Sequence, residues 1–165
     1  MKNLIQHIIS LIIVLAASIA IQAKVSFPGK IIAESSNPLT TFIGSPSVVV
    51  LPDGTYVASH DWSGKSVSGV YTSVYSSVDK GETWRLLSTI KDIRSANLFY
   101  FYGNLYLMGV KSVFGDICIR RSTDNGKTWS DASSSSTGIL FKGRYYTAPV
   151  PVTIHNGRIW RAYEE

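Results

Sequence analysis

The chain alternates short segments rich in Val, Ile, Tyr, Phe and Thr with tight-turn signals, and it shows no helical periodicity after residue 23. β-branched and aromatic residues in such runs favour strands, and Asp-Gly or Asn-Gly pairs favour hairpins because glycine accepts a positive φ. A strand, a glycine turn and a second strand recur over residues 45–59, 95–109 and 147–162, with the turn glycines at Gly54, Gly103 and Gly157. This repeat predicts an all-β protein built from similar hairpins.

A second repeat has eight residues and is nearly verbatim. Residues 77–84 and 122–129 both read S-x-D-x-G-x-T-W, and we call them the first and second box segments. The matched residues are Ser77, Asp79, Gly81, Thr83 and Trp84, and then Ser122, Asp124, Gly126, Thr128 and Trp129. The glycine permits a reversed backbone, the aspartate accepts turn amides, the hydroxyl groups bridge the hairpin and the tryptophan packs on the sheet. We predict that both aspartates fix turns; catalysis or calcium binding is the less favoured alternative.

Together the repeats predict units of four antiparallel strands, which is the composition of a propeller blade. The first blade is predicted at about residues 45–90, the second at about 95–132, and the third begins at about residue 147. The expected strands are 45–51, 55–61, 70–78 and 83–90, followed by 95–101, 104–112, 116–123 and 128–132. The third blade has one hairpin, so we expect about two and a half blades of a longer propeller.

The first 23 residues have the layout of a secretory signal peptide. Lys2 precedes an apolar run over residues 8–21, and the small residues Ala20 and Ala23 mark candidate cleavage positions. The run has 14 residues, whereas a helix that spans a membrane needs about 20. We therefore expect cleavage after Ala20 or Ala23, a secreted or periplasmic mature protein and no stable membrane anchor.

Charge and cysteine content argue against several classes of function. The 16 Lys and Arg residues exceed the 11 Asp and Glu residues, but the basic residues are scattered and form no patch of the kind that binds nucleic acid. The single cysteine, Cys118, has apolar neighbours that predict a buried, inert thiol rather than a nucleophile or a metal ligand. We predict no cofactor and no metal.

The two box segments and the preceding residues 45–55 (SPSVVVLPDGT) resemble the sialidase superfamily of bacterial neuraminidase-like glycoside hydrolases. The resemblance spans roughly residues 31–165 and is strongest to exo-α-sialidases. It implies a propeller of about six blades that removes terminal sugars from glycans. Box segments also occur in propellers that bind ligands without hydrolysing them, so a glycan-binding or interaction propeller stays open as the alternative.

The resemblance places the substrate pocket at the end of the sheets opposite the box segments. It implies a general acid in the link between the second and third strands of the first blade, and this assigns the role to Asp61. The residues expected to contact the substrate are His60, Trp62, Tyr146, Arg161 and Glu164. Plainer explanations stay open: turn capping for Asp61, wall or packing roles for His60 and Trp62, core packing for Tyr146 and pairing between blades for Arg161.

One residue that the resemblance implies is missing. Sialidases begin the first strand with Arg-Ile-Pro, whose arginine holds the substrate carboxylate, whereas this chain has Gly44-Ser45-Pro46. The departure favours a sugar other than sialic acid unless Arg94, Arg144 or Arg161 compensates. The nucleophilic tyrosine and the remaining arginines are expected in later blades, outside this sequence.

Overall fold

The structure is a computed structural model that describes residues 28–148 and 150–165. The predicted signal peptide, residues 1–23, lies outside the described residues. The described part of the chain contains ten strands and no helix. It therefore contains no helix long and apolar enough to span a membrane.

Two four-stranded antiparallel sheets make up most of the fold, and in each sheet every strand pairs with the next along the chain. The first sheet contains β1 (Phe42–Val50), β2 (Tyr56–Ser63), β3 (Tyr71–Ser77) and β4 (Arg85–Lys91). The second contains β5 (Arg94–Phe101), β6 (Asn104–Val110), β7 (Gly115–Ser122) and β8 (Ile139–Tyr145), and a separate hairpin contains β9 (Thr153–His155) and β10 (Arg158–Trp160). This order is the topology of propeller blades, and it confirms the all-β partial propeller predicted from the repeats.

The fourth strand of the second sheet lies at Ile139–Tyr145, and the predicted strand at residues 128–132 is wrong. The sheet therefore continues past residue 132, where the sequence predicted its end. Residues 133–137 form a loop whose hydroxyl groups bond to one another and to loop amides. Such local bonds compete with strand pairing, and pairing to β7 begins only after this loop.

The apolar core lies between the facing sides of the two sheets. Val57 and Val74 of the first sheet and Leu105 and Leu107 of the second are each at most 1 % exposed. Ile93, in the link between β4 and β5, is fully buried in the same cluster. Burial of apolar surface contributes about 25 cal/mol per Å², so these contacts supply the main force that holds the two sheets face to face.

Cys118 belongs to this core and has no exposed surface. Burial is the largest of the effects that raise the pKa of its thiol to about 11. The thiol is therefore protonated at neutral pH, and it lacks the thiolate character that makes cysteine reactive. The predicted buried thiol is confirmed.

Side-chain hydrogen bonds join the first strands of successive blades. The Ser47 hydroxyl on β1 accepts the backbone N–H of Leu98 on β5 at 2.9 Å and the side-chain N–H of Asn97 at 3.0 Å. One blade further along, the side-chain oxygen of Asn97 accepts the N–H of Val152 at 3.3 Å. Ser47 and Asn97 each follow a bulge in their strand, so equivalent positions make equivalent bonds to the next blade.

Both box segments form the same hydrogen-bonded turn. In the first segment, the Asp79 carboxylate accepts the backbone N–H of Thr83 at 2.9 Å and the hydroxyl of the same threonine at 2.5 Å. The Ser77 hydroxyl donates to Asp79 and accepts the N–H of Gly81. Asp124 makes the equivalent bonds in the second segment. The threonine bonds are the main cause that lowers the pKa of each aspartate to about 2, so both are ionised acceptors within their turns.

The tryptophans of the two box segments have different partners. Trp129 packs on the core, and its indole N–H lies 3.1 Å from the Ser88 hydroxyl on β4 and from the Gly126 carbonyl oxygen. Ser88 donates its own hydroxyl to Gly126 at 2.7 Å, so the second box segment is bonded to the first sheet. The indole of Trp84 donates within its own turn, to the carbonyl oxygen of Gly81 at 3.0 Å.

Alanine substitution should therefore be more costly at Trp129 than at Trp84. We expect Trp129→Ala to lower the free energy of unfolding of the full-length protein by about 2 to 3 kcal/mol, and Trp84→Ala by about 1 to 2 kcal/mol. Both indoles are half-buried, but only Trp129 packs against the core and bonds to the first sheet, and truncating a fully buried aromatic costs about 3 to 5 kcal/mol. Denaturant unfolding of both variants measures the difference. A change in ligand preference at unchanged stability in Trp84→Ala would show that the functional end has been misplaced.

Candidate functional site

Asp61 lies within β2 and not in the link that follows this strand, so its predicted position in a loop is wrong. It pairs with Gly44 on β1 and with Thr72 on β3. The link, residues 64–70, contains Lys65 as its one charged side chain and has no carboxylate. Asp61 nevertheless lies near the ends of strands that point away from the box segments, at the end where the pocket was expected.

Strand alternation separates Asp61 from its neighbours, because successive side chains of a strand point to opposite faces. His60 lines a cavity of about 540 Å³ that residues 31–33 also line, and burial lowers the pKa of its imidazole. The ring stacks on Tyr75 with centroids 5.4 Å apart, and Nε2 lies 3.1 Å from the tyrosine hydroxyl oxygen. The Trp62 ring packs edge-on against the His60 ring, with the ring centroids 4.8 Å apart. His60 and Trp62 thus belong to one packed aromatic cluster, while Asp61 faces the second sheet.

The Asp61 carboxyl group joins the first sheet to the second, and it is 3 % exposed. Oδ2 accepts the backbone N–H of Ser95 on β5. Oδ1 lies 2.7 Å from the Thr72 hydroxyl oxygen. Burial raises the pKa of Asp61, and this effect exceeds the lowering by its hydrogen bonds and by the charge of Arg94.

The Thr72 hydroxyl indicates which protonation state of Asp61 the fold accommodates. Its oxygen lies 2.7 Å from Asp61 Oδ1 and 2.8 Å from the carbonyl oxygen of Ile93. A hydroxyl group has one proton and can donate to only one of these acceptors. Both contacts are hydrogen bonds when Asp61 is protonated, because Asp61 then donates to Thr72 and Thr72 donates to Ile93. The Thr72 contacts thus accommodate a protonated Asp61, and burial acts in the same direction, whereas the N–H of Ser95 and the charge of Arg94 favour the carboxylate.

The Arg161 guanidinium is bound to backbone carbonyl groups of two blades. Its acceptors are the carbonyl oxygens of Met108, of Ser95 at 2.5 Å and of Ala148 at 3.3 Å. The ring of Tyr163 lies 5.4 Å from its Cζ atom, and burial lowers the pKa of the guanidinium. This arrangement matches pairing between blades, which was the alternative to a substrate contact.

Ser95 connects Asp61 to Arg161, since its N–H donates to the first and its carbonyl oxygen accepts from the second. Its φ of 47° lies in the left-handed region, which is uncommon for residues other than glycine. Ser45 has a φ of 52° at the equivalent bulge of β1. Sequence reasoning missed Ser95; the recurrence of serine near the starts of β1 and β5 is the signal that could have found it.

Tyr146 and Glu164 pair through their backbones, with two bonds of 2.8 Å between N–H and carbonyl groups. Both side chains are exposed, and the Tyr146 ring lies 5.9 Å from the ring of Phe114. The Arg144 guanidinium lies 5.9 Å from the same Phe114 ring. An exposed group of aromatic and basic side chains therefore occupies this end of the sheets.

Among the described residues, no three His, Cys, Asp or Glu side chains are grouped so that they could hold a metal ion.

Gly44 leaves open space where the resemblance implies an arginine. A Cβ atom at this position would meet no atom within 4 Å. Arg94 occupies the equivalent place in β5, because it pairs with Val110 as Gly44 pairs with Asp61, directly before a bulge. An arginine is thus present one blade later, half-buried and close enough for its charge to affect Asp61.

No protein-family model and no curated protein matches the sequence. Among solved structures, the chain is similar to the α-L-arabinanase of Penicillium chrysogenum complexed with arabinobiose, at 28 % identity and a TM-score of 0.45, over 53 % of this chain and 30 % of that chain. It is similar to a Hadza microbial sialidase at 23 % identity and a TM-score of 0.46, over 57 % of this chain and 19 % of that chain. It is also similar to Trypanosoma rangeli sialidase at 18 % identity and a TM-score of 0.46, over 67 % of this chain and 18 % of that chain.

The fold is that of a partial β-propeller. This description rests on the two four-stranded sheets, in which each strand pairs with the next along the chain, and on the separate hairpin of β9 and β10. The chain spans 18 % to 30 % of the length of these three solved structures.

Asp61→Asn tests the neutral state of Asp61. The amide retains the hydrogen bonds of the neutral acid, since its NH₂ group donates to Thr72 and its oxygen accepts from Ser95. Because folding raises the pKa of Asp61 above 3.8, its stabilisation is fully present below pH 3.8 and is lost as the pH rises through the folded-state pKa. We expect the melting temperature of the variant to exceed that of the unaltered protein increasingly as the pH rises, in thermal unfolding from about pH 3 to pH 8.

The charged groups that face Asp61 are Arg94 and Arg161, and arginine side chains keep their charge over this range. Asp53 provides a control at the opposite end, because its bonds to Thr55 lower the pKa of its carboxyl group. Asp53→Asn should show the opposite trend with pH. An Asp61→Asn variant less stable than the unaltered protein at every pH would rule out the neutral state.

Proposed function

We propose that the chain is part of an exported glycan-acting propeller, and that the complete protein hydrolyses terminal sugars as a sialidase-like glycoside hydrolase. One observation carries the proposal: a buried carboxyl group with a raised pKa lies at the end of the sheets where exposed aromatic and basic side chains gather. Glycoside hydrolysis needs a carboxylic acid that is protonated at the working pH and donates to the leaving oxygen. Asp61 is the residue we assign to this role.

Proton donation by Asp61 exchanges one hydrogen bond for another. Asp61 Oδ1 lies 2.7 Å from the Thr72 hydroxyl oxygen, so a protonated Asp61 can donate to Thr72, and proton transfer to a substrate requires this contact to be exchanged for one with the glycosidic oxygen. The N–H of Ser95 stays bonded to the other carboxyl oxygen and holds the group in position. Tyr146 and Glu164, whose side chains are exposed at the same end, are the proposed substrate contacts.

The proposed partner is a glycan or glycoconjugate outside the cytoplasm. Residues 1–23 support export, because a basic start, an apolar run and small residues form the layout of a cleaved signal. The scattered basic residues argue against nucleic acid as a partner.

A glycan-binding propeller without catalysis is the second candidate, and the contacts of Asp61 favour it. Both carboxyl oxygens already have partners inside the protein. The link at residues 64–70 contains no carboxylate, and Gly44 lacks the side chain that would hold a substrate carboxylate. A propeller that kept the scaffold and lost hydrolysis would have these features.

Asp61→Asn in the full-length protein distinguishes the two candidates. Loss of the general acid should slow the hydrolysis of natural glycosides by about 10²- to 10⁴-fold. Aryl glycosides with good leaving groups need less protonation, so their glycosylation step should be slowed less. The measurement is kcat/KM for both kinds of substrate, over a panel of sialosides and other acidic and neutral glycans.

The matched control is Asp53→Asn, which changes an exposed aspartate whose carboxylate accepts the N–H of Thr55 at 2.9 Å, at the end of the sheets that carries the box segments. Asp53→Asn should leave kcat/KM unchanged for both natural glycosides and aryl glycosides. Full activity of Asp61→Asn on natural glycosides, or no hydrolysis of any glycan by the unaltered protein, overturns the catalytic proposal. Glycan binding retained in either case supports the binding propeller.

A further inference from the structure

Phe114, Arg144 and Tyr146 form a surface group that we call the Phe114 platform. Phe114 ends the link between β6 and β7, Arg144 lies near the end of β8, and Tyr146 begins the segment that leads to the third hairpin. The rings of Phe114 and Tyr146 have centroids 5.9 Å apart and are tilted by 38°. The Arg144 Cζ atom lies 5.9 Å from the Phe114 centroid. Side chains from two separate segments thus converge at the end opposite the box segments.

The backbone at Phe114 holds an aromatic ring in an unfavourable conformation. Its φ of 56° lies in the left-handed region, which is a marked outlier for a bulky residue. The side chain is 53 % exposed, so burial in the core does not offset the cost. Strained backbone conformations cluster at ligand-binding sites, and the position of this exposed ring beside Arg144 and Tyr146 is what makes it a candidate contact.

The positive charge of the platform has no ion-pair partner among the described residues. The two ion pairs found in residues 28–148 and 150–165 do not include Arg144. Asp116, on the neighbouring strand β7, accepts the backbone N–H of Gly143 at 3.0 Å and so shapes the chain beside this arginine. The Arg144 guanidinium therefore has donors available beside the Phe114 ring.

We propose that the Phe114 platform is a carbohydrate subsite for an anionic sugar unit, one that carries a carboxylate or a sulfate group. Aromatic faces carry negative quadrupole charge and attract the polarised C–H groups of a sugar ring. A guanidinium binds an oxyanion through two parallel, charge-assisted hydrogen bonds. The proposal rests on the proposed glycan-acting function and adds to it a place and a ligand class.

Tyr102 provides a matched control for the platform. It is 78 % exposed and has a positive φ of 42°, as Phe114 does. It lies in the turn between β5 and β6, at the end of the sheets that carries the box segments. The cation–π contacts found among the described residues involve other rings. Tyr102→Ala thus removes an exposed aromatic ring without touching the platform.

The test is calorimetric titration of the full-length protein with three disaccharides that differ only in their terminal unit: glucuronic acid, glucose 6-sulfate or glucose. The unaltered protein should bind at least one anionic disaccharide about tenfold more tightly than the neutral one. Arg144→Gln should abolish this preference. Phe114→Ala should weaken binding of all three by about 3- to 10-fold, and Tyr102→Ala should change none of the affinities.

Phe114→Gly separates binding from folding. Glycine adopts the left-handed conformation without strain, so the melting temperature should be unchanged or higher, while binding weakens as much as in Phe114→Ala. Phe114→Tyr retains the ring and should retain binding. A platform with only a structural role would give a lower melting temperature in Phe114→Gly and unchanged affinities.

The failures of the two proposals are distinguishable. Equal affinity of the unaltered protein for the three disaccharides, or unchanged affinities in Arg144→Gln and Phe114→Ala, overturns the platform and leaves the glycan-acting function in place. Absence of both binding and hydrolysis across the disaccharides and the glycan panel overturns both proposals.

Discussion

Hydrogen bonding by the first strand of each sheet constrains how the blades meet. β1 and β5 each have one edge without a strand partner, and a buried amide without an acceptor is costly. The side chains of Ser47, Asp61 and Asn97 supply acceptors for amides of the next blade. Apolar contact between the sheet faces contributes most of the stability but has no direction. These directional bonds therefore set the register between blades.

The candidate site depends on the same bonds. Asp61 and Arg161 both bind the backbone of Ser95, so residues of the first and third blades are positioned by one residue of the second. Burial at this junction is also what raises the pKa of Asp61 and favours its neutral form. Blade assembly and the proposed proton donation thus involve one carboxyl group, and a substitution at Asp61 is expected to affect both. Activity and stability have to be measured together in any variant of this residue.

Turns were predictable from the sequence because the residues that form them are adjacent. The box segments and the glycine hairpins have their donors and acceptors within a few positions, and the strands of the first sheet follow from them. The side-chain directions of β2 were not predictable, since this strand is buried on both faces from Val57 to Asp61 and shows no alternation. β8 begins only after residues 133–137, a loop with hydroxyl bonds that no periodicity reveals. Ser95 meets Arg161 across 66 positions, a contact that only the tertiary fold creates.

Amide hydrogen exchange in the full-length protein tests most directly whether side-chain acceptors set the contact between blades. We predict that the amides of Ser95 and Leu98 exchange slowly, at rates typical of the core strands, since their acceptors belong to the first blade. Ser47→Ala should speed exchange at Leu98 and leave Ser95 protected. If both amides in the unaltered protein exchange as fast as those in the exposed loop at residues 133–137, side-chain acceptors do not set the contact between blades.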